Sequence, residues 1–335
     1  MQPLFTVGMP VYNAMPYLPQ AVESILGQTY PHFELLIIND GSRDSSLDYL
    51  RSVRDPRVRI LSQKNSGVTS TLNRVLQEAR APWLVRSDAD DVAGPERLAV
   101  VTGAIERQPA AGMFYSRASH VGHVRAISAA RSSEGTPAEL NGLTRAGYLL
   151  AIVHSSVVLN VAKTRSLGGY RFDLHIEDID LWWRIALRHG VVFIPQTTVE
   201  YRLKHDGVCI RHLRSLSANA LFVQYLLLSR LWNLEPLPYE AVIEALNGLV
   251  KKRRLAYREE MWRAGAHLSA RRYRAAMPHL VRAAVRSPAD FLRRAGYPFS
   301  RQKIVRIGED PRCFRRIEQQ LWRRTDVSLA ALAQA

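Results

Sequence analysis

Two cysteines in 335 residues, Cys209 and Cys313, are too few and too far apart for a disulfide framework or a cysteine-based zinc centre. That scarcity favours a reducing compartment. No apolar run reaches membrane-spanning length; the nearest, Ala220 to Leu231, is interrupted by Gln224, Ser229 and Arg230. The N-terminus enters a strand-like segment, Leu4 to Met9, without a basic region followed by a long apolar one, so no signal peptide is expected. These absences point to a cytoplasmic protein, either soluble or peripheral on the inner face of a membrane. No Gly-x-Gly-x-x-Gly follows the first apolar segment and no Walker-type lysine loop is present, which sets aside the dinucleotide fingerprint and the P-loop.

Acidic residues are scarce in one region only. Residues 1–210 hold 22 Lys and Arg against 20 Asp and Glu, while residues 211–335 hold 24 against 10, so nearly all of the net +16 sits in the last third. An anionic partner, membrane lipid or nucleic acid, suits such a segment, and so does a set of solvated arginine-rich helix faces. Aromatic residues there are scattered and no groove-reading or stacking motif is evident, so nucleic acid is not the expected partner.

What is present begins with strand–helix alternation. Phe5 to Met9 reads as a strand, followed by a helical face of Leu18, Val22, Ile25 and Leu26. Glu34 to Asn39 is a buried-type strand, Asp44 to Val53 a helix and Val58 to Leu61 a strand. Val68, Leu72, Val75, Leu76 and Ala79 share a helix face, Trp83 to Arg86 is a strand, and Pro95 suits the first turn of a helix reaching about Gln108. Four such repeats predict an α/β fold with a mostly parallel sheet and helices on both faces, whose ligands bind beyond the carboxyl ends of the strands. Ser132 to Asn141 reads as a mobile loop over that crevice, and His154 to Asn160 as a strand. Gly168-Gly169 marks a turn needing glycine freedom. Glu177 opens a helix ending near Gly190, and strands follow at Val191–Ile194 and Thr198–Leu203. After about Leu213 apolar residues recur at helical spacing, among them Leu216, Ala220, Leu227, Leu231, Phe314, Ile317 and Leu321. This predicts two parts, residues 1–212 and a basic helical region at 213–335.

Two acidic stretches carry the candidate chemistry. Strand Trp83–Arg86 runs into Asp88, Asp90 and Asp91, three carboxylates within four residues. Such a cluster suits a hard divalent cation shared with substrate phosphates, and it also suits a solvated turn. Glu177, Asp178 and Asp180 stand at a helix start, where carboxylates serve either as a catalytic base or in capping and dipole compensation. Trp182 and Trp183 follow; one offering its ring to a bound ligand and one facing the core is the expected division.

The motifs Pro10-Val11-Tyr12-Asn13, Asn39-Asp40-Gly41-Ser42, Asn65-Ser66-Gly67, Asp88-Ala89-Asp90-Asp91, Gly168-Gly169-Tyr170 and Glu177-Asp178-Ile179-Asp180-Leu181-Trp182 stand in sequence order. Together they resemble the family-2 glycosyltransferases, inverting enzymes of the GT-A fold that use nucleotide-diphosphate sugars. The resemblance runs from residue 5 to about 207 and does not reach the basic region. It implies that Pro10, Tyr12 and Asp40 hold the base, Asp40 accepting a hydrogen bond from a pyrimidine ring nitrogen. It implies further that Asn65 and Gly67 line the nucleotide pocket, and that Asp88 meets the ribose or the metal. Asp90 would bind the metal, Mn2+ or Mg2+, and Asp178 would be the general base. His205 is a metal-ligand candidate against a structural or solvated reading, His154 is expected to be structural, and Asp91 is expected to cap toward the Pro95 helix. Many relatives carry arginine where this chain has Leu72, so phosphate charge would fall to another cation, with Arg74 and Arg86 both open. The implied donor is a nucleotide sugar, UDP-linked in the favoured case, and the implied acceptor a hydroxyl of a glycan or lipid-linked glycan. The competing readings are a catalytically inactive scaffold of the same fold and a binder of anionic polymers.

Overall fold

A computed structural model describes residues 3–121, 132–204, 211–250, 252–295 and 306–307. Phe5–Val11 (β1), Phe33–Asn39 (β2), Val58–Ser62 (β3) and Trp83–Arg86 (β4) form a parallel set, crossed over by Leu18–Leu26 (α1), Ser46–Ser52 (α2) and Val68–Glu78 (α3). Parallel strands must be covered on both faces, which is why they read as unbroken apolar runs. In β2 all seven residues are buried. Leu35 and Ile37 point into a core shared with Leu18, Val22 and Ile25 of α1. Leu36 and Ile38 point the other way, against Leu72, Val75 and Leu76 of α3.

The second half is mixed. It comprises Val92–Ala93 (β5), Arg97–Arg107 (α4), Met113–His120 (β6), Pro137–Arg145 (α5), Leu149–Leu150 (β7), Val157–Asn160 (β8), Val161–Ser166 (α6), Glu177–His189 (α7) and Val191–Tyr201 (β9). The main sheet runs β3-β2-β1-β4-β8-β6-β9-β5. Strand β8 is antiparallel to β4 and β6, whereas β6 and β9 are parallel. The expected α/β sheet with helices on both faces is present, and the carboxyl ends of β1 to β4 open on one side.

Several boundaries differ from the sequence reading. Ser132 to Asn141 is tied into the fold, not a free loop. The Ser133 N–H donates to Ala151 O at 2.7 Å, its Oγ accepts from Ala151 N, and Tyr115 Oη donates to Ser133 O at 2.5 Å. Thr136 and Glu139 then form a capping box that starts α5. The polar composition that suggested a loop is that of a capped helix start. His154–Ser156 is a 3-10 turn ahead of β8. Strand β9 is one element, with its register shift absorbed around Pro195 where two strands were expected. Helix α4 begins at Arg97, two residues beyond Pro95.

Trp182 and Trp183 are both core residues, 1 % and 7 % exposed. Trp182 packs in the core under α3, and Trp183 joins Leu149, Ile176, Val223 and Leu227. The last two belong to Leu213–Leu231 (α8), which covers the face of α7 that a sequence pattern shows as free. Asn219 and Gln224 of α8 also donate to Leu174 O and Gly147 O at 2.9 Å. Beyond it, Tyr239–Leu249 (α9) packs through Val242 and Leu246 on Leu221, Phe222 and Tyr225. Lys252–Ser269 (α10) and Tyr273–Arg286 (α11) form a hairpin, followed by Pro288–Ala295 (α12). Arg306–Ile307 (β10) pairs antiparallel with β7, so the described part of this region is helical apart from one short strand. Among the described residues no helix is long and apolar enough to cross a membrane. Phe314, Ile317 and Leu321 lie outside the described residues, as do both cysteines.

Helix α7 is fixed by charge as well as by packing. Asp180, fully buried, accepts from Arg171 Nη2 at 2.6 Å and from Arg184 Nε at 3.0 Å. Arg184 also donates to Leu167 O and Gly169 O, binding the Gly168-Gly169 turn to the helix. Removing one member of a buried ion network leaves its partners uncompensated, so Asp180→Ala is expected to lower unfolding stability by roughly 3–5 kcal/mol. Urea unfolding of both proteins checks this; an unchanged midpoint would contradict it.

Candidate active site

Three loops meet at the carboxyl ends of β1, β2 and β3. The Asn13 N–H donates to Ser42 Oγ and its Oδ1 accepts from Arg43 N, which joins the first loop to the second. Asp40, 4 % exposed, organises the second and third. Its Oδ1 accepts from Gln63 Nε2 at 2.7 Å and Ser66 N at 2.9 Å, and its Oδ2 accepts from Gly67 N at 3.1 Å. Asn65 Nδ2 donates to Asp40 O at 3.1 Å. Gly41 has φ +71°, and a Cβ there would lie 2.8 Å from Asn65 N, so the two loops touch only because this residue lacks a side chain. Tyr12 stands 49 % exposed beside them, and Pro10 is one turn of the pleat earlier in β1. Pro10, Tyr12, Asp40, Asn65 and Gly67 are therefore brought together. Asp40 Oδ1 is fully used by the protein, which leaves Oδ2 as the oxygen with room for a further donor.

The acidic stretch after β4 is built on Arg86, a residue only 2 % exposed. It donates from Nη2 to Asp88 Oδ1 at 2.6 Å, from Nε to His154 Nε2 at 3.3 Å and from Nη1 to Ser87 O. Burial opposes the ionisation of Asp88, but the Arg86 charge, with Lys204 behind it, holds that carboxyl below its ordinary value. Burial and the Arg86 charge together depress His154 to about 3, so its ring is neutral and accepts from Arg86. Below Arg86, Arg97 donates from Nη2 to Arg86 O and Ser155 O at 2.9 and 2.6 Å.

Asp90 is held differently: its Oδ2 lies 2.6 Å from Lys204 Nζ, at the end of β9. Asp91 is buried, accepts from Arg202 N at 2.8 Å, and is pushed well above the ordinary carboxylate range by burial and by Asp88 and Asp90. It does not cap α4, whose N-cap position is Glu96; the expected capping role gives way to anchoring β9. His205, the other expected metal ligand, lies outside the described residues.

The opposite wall is the start of α7. Asn73 Nδ2 donates to Tyr170 O and its Oδ1 accepts from Tyr170 N, each at 2.9 Å. Thr69 Oγ1 donates to Phe172 O at 3.1 Å, so α3 clamps the segment leading into α7. Asp178 accepts from Ile179 N at 2.7 Å, and no side chain caps the helix. Burial raises the Asp178 carboxyl to about 6, against the Arg86 charge, and Asp88 adds to the rise. Its neighbour Glu177, 6 % exposed with Oε2 unpartnered, is pushed up to about 8 by burial and by Asp178. Tyr170 Oη meets His154 Nε2 at 3.2 Å, which links this wall to Arg86 and Asp88.

Leu72 is a core residue, 1 % exposed. Of the two cations that could stand in for the missing arginine, Arg74 donates to Gln63 Oε1 beside the Asp40 loops. Arg86 is the one inside the acidic cluster. A groove of about 600 Å³ along α3 is lined by Gln63, Ser66, Asn73, Arg74 and Asp173 among others, and none of the carboxylates after β4 reaches it. As a cation site, Asp88 and Asp90 each already face one protein cation, and no group of three or more His, Cys, Asp or Glu able to hold a metal occurs among the described residues. That donor set fits a hard ion that takes its other ligands from phosphate and water, and does not fit one caged wholly by protein. Sequence reasoning missed Lys204 and the depth of Glu177; a lone lysine after a strand and a glutamate in a first helical turn carry no distinguishing pattern.

Strand order and crossovers define an α/β domain of GT-A type. Residues 6–159 match the family model described as Glycosyl transferase family 2. An uncharacterized glycosyltransferase of Haemophilus influenzae is 27% identical over 212 residues, 60% of this chain and 66% of that protein's length. The structure of S. aureus TarS 1-349 in complex with UDP-GlcNAc superposes with a TM-score of 0.52 at 15% identity, covering 86% of this chain and 92% of that one. The mannosyltransferase PcManGT of Pyrobaculum calidifontis, in complex with GDP-Man and Mn2+, gives 0.52 at 17% identity over 96% and 85%. At these identities both show the fold.

Between the ordinary glutamate value of 4.5 and about 8, the unfolded chain releases a proton that folded Glu177 keeps. Stability from this group is therefore lost as pH rises across that window. Glu177→Gln is expected to melt a few degrees above the parent at pH 8 and at the same temperature near pH 4.5. Parallel melting curves across that range would contradict it.

Proposed function

We propose that the chain transfers a sugar from a nucleotide-diphosphate sugar, UDP-linked, to a hydroxyl of a glycan or lipid-linked acceptor, with inversion at the anomeric carbon. The observation that carries this reading is the half-buried Asp178 carboxyl at the first turn of α7, raised to about 6 by its loss of solvent on the wall facing Arg86 and Asp88. A base works best with a pKa near the working pH, and a carboxylate there is ionised at neutrality yet basic enough to accept a proton. The UDP-GlcNAc bound by TarS and the GDP-Man bound by PcManGT support a nucleotide-sugar donor for the same fold.

The parts divide as follows. Tyr12 offers an exposed ring for a base to stack on, with Pro10 beside it. Asp40 Oδ2 accepts from the base, and Asn65 and Gly67 shape the pocket around it. Asp88, kept ionised by Arg86, takes the ribose or shares the cation, and Asp90 is the cation ligand. A Mn2+ or Mg2+ bound there would act as a Lewis acid on the diphosphate, neutralising the charge that develops as it leaves. Asp178 removes the acceptor proton as the acceptor oxygen attacks the anomeric carbon from the face opposite the diphosphate. The bond to the diphosphate oxygen breaks in the same step and the nucleoside diphosphate departs with the electron pair. No covalent intermediate forms.

Asp178→Asn is expected to cut kcat by roughly 10²–10⁴-fold while leaving UDP binding unchanged and the melting temperature at neutral pH no lower than the parent's. Near-parental turnover would remove Asp178 from the role. Asp90→Ala is expected to abolish transfer and the extra thermal stabilisation that Mn2+ adds to bound UDP. A panel of UDP, GDP and dTDP sugars read by thermal shift identifies the nucleotide; no stabilisation by any of them would favour an inactive scaffold of the same fold.

A further inference from the structure

Five large apolar side chains are exposed among the described residues, and four of them lie on α11: Tyr273, Met277, Val281 and Val285, between 56% and 73% exposed. Their spacing of four residues keeps them on one side of the helix, with a drift of about 40° per step. The opposite side is buried: Ala276 and Ala283 are fully covered, the latter against Tyr257 and Met261 of α10. Helix α11 thus has one apolar face that completes the hairpin and a second that nothing described covers. A surface helix of a soluble domain carries polar residues on that second face.

The charge around the stripe has one sign. From Met261 to Ala289 there is no aspartate or glutamate, while Arg263, Arg271, Arg272, Arg274, Arg282 and Arg286 all fall in that stretch. Arg282 and Arg286 lean back on Glu260 of α10, at 3.1 and 3.4 Å, and His279 reaches the same carboxylate at 2.7 Å. Arg271, Arg272 and Arg274 make no ion pair among the described residues and sit exposed at the start of the stripe.

We propose that this outer face of α11 is a membrane-docking surface, with Tyr273, Met277, Val281 and Val285 entering the interface of an anionic bilayer and Arg271, Arg272 and Arg274 meeting its headgroups. An apolar stripe bordered by arginine is the composition of a helix lying in the plane of such an interface. A nucleic acid would use the arginines and leave the valines and Met277 unused. A second copy of the chain would bring Arg274 of each protomer toward a face of the same charge. The surface is independent of the proposed sugar transfer and its test needs no turnover.

The test is sedimentation of the full chain with phosphatidylcholine vesicles containing about 30% phosphatidylglycerol, beside vesicles of phosphatidylcholine alone. The parent is expected to bind the anionic vesicles at least tenfold more tightly. The triple variant Met277→Ser/Val281→Ser/Val285→Ser is expected to lose about tenfold or more of that binding with an unchanged melting temperature, since each position is exposed. Arg272→Gln/Arg274→Gln is expected to weaken binding and flatten its salt dependence. Three results overturn the proposal: anionic binding by the triple variant equal to the parent's, no binding by the parent, or equal binding to both vesicles. So do a fall in melting temperature in the triple variant, which would mean the face packs within the chain, and a dimer in the parent that the triple variant dissolves. Binding of the parent to duplex DNA that the triple variant loses in step overturns it as well.

Discussion

A positive charge buried where three carboxylates gather decides the form of this molecule's working end. Arg86 stands at the last position of β4, 2 % exposed, and donates to Asp88, to His154 and to the Ser87 carbonyl. Burying a guanidinium is tolerable only when its donors are met, and half-burying Asp88 beside it only when the charge is balanced. Each therefore permits the other. The same charge reaches the second wall: it keeps His154 neutral, and it limits how far burial raises Glu177 and Asp178. Two carboxylates on opposite walls end up in different states: Asp88, paired with Arg86 at 2.6 Å, is held below its ordinary value, while loss of solvent raises Asp178 to about 6.

The scaffold makes that contrast possible. Strands β1 to β4 end together, so four loops share one opening. The first three loops are tied to one another, Asn13 to Ser42 and Asp40 to Ser66 and Gly67, and Asn73 of α3 reaches Tyr170 on the wall that carries Asp178. Asp180, paired with Arg171 and Arg184, fixes the first turn of α7, and with it the direction in which Asp178 can point.

Much of this is legible in the residues themselves. Glu34 to Asn39 can only be a strand covered on both faces, and a polar loop after each of four such strands predicts a shared crevice. What was not legible depended on distant parts of the chain. Trp183 looks available for a sugar until α8, thirty residues later in sequence, covers it. Ser132 to Asn141 looks mobile until Tyr115 and Ala151 hold Ser133. Asp91 suggests a cap because it precedes a helix, yet its partner is Arg202, more than a hundred residues away. Lys204 beside Asp90 is of the same kind: a contact between strand ends that no local pattern announces.

In the proposed transfer, Asp178 is the group whose ionisation limits reaction. The pH dependence of kcat/KM for that proposed sugar transfer reports the free enzyme and tests this most directly. The expected profile falls on the acid side with a single-proton limb near pH 6, where burial has raised the Asp178 carboxyl. A limb at the ordinary aspartate value, leaving activity flat from about pH 5 upward, would contradict it.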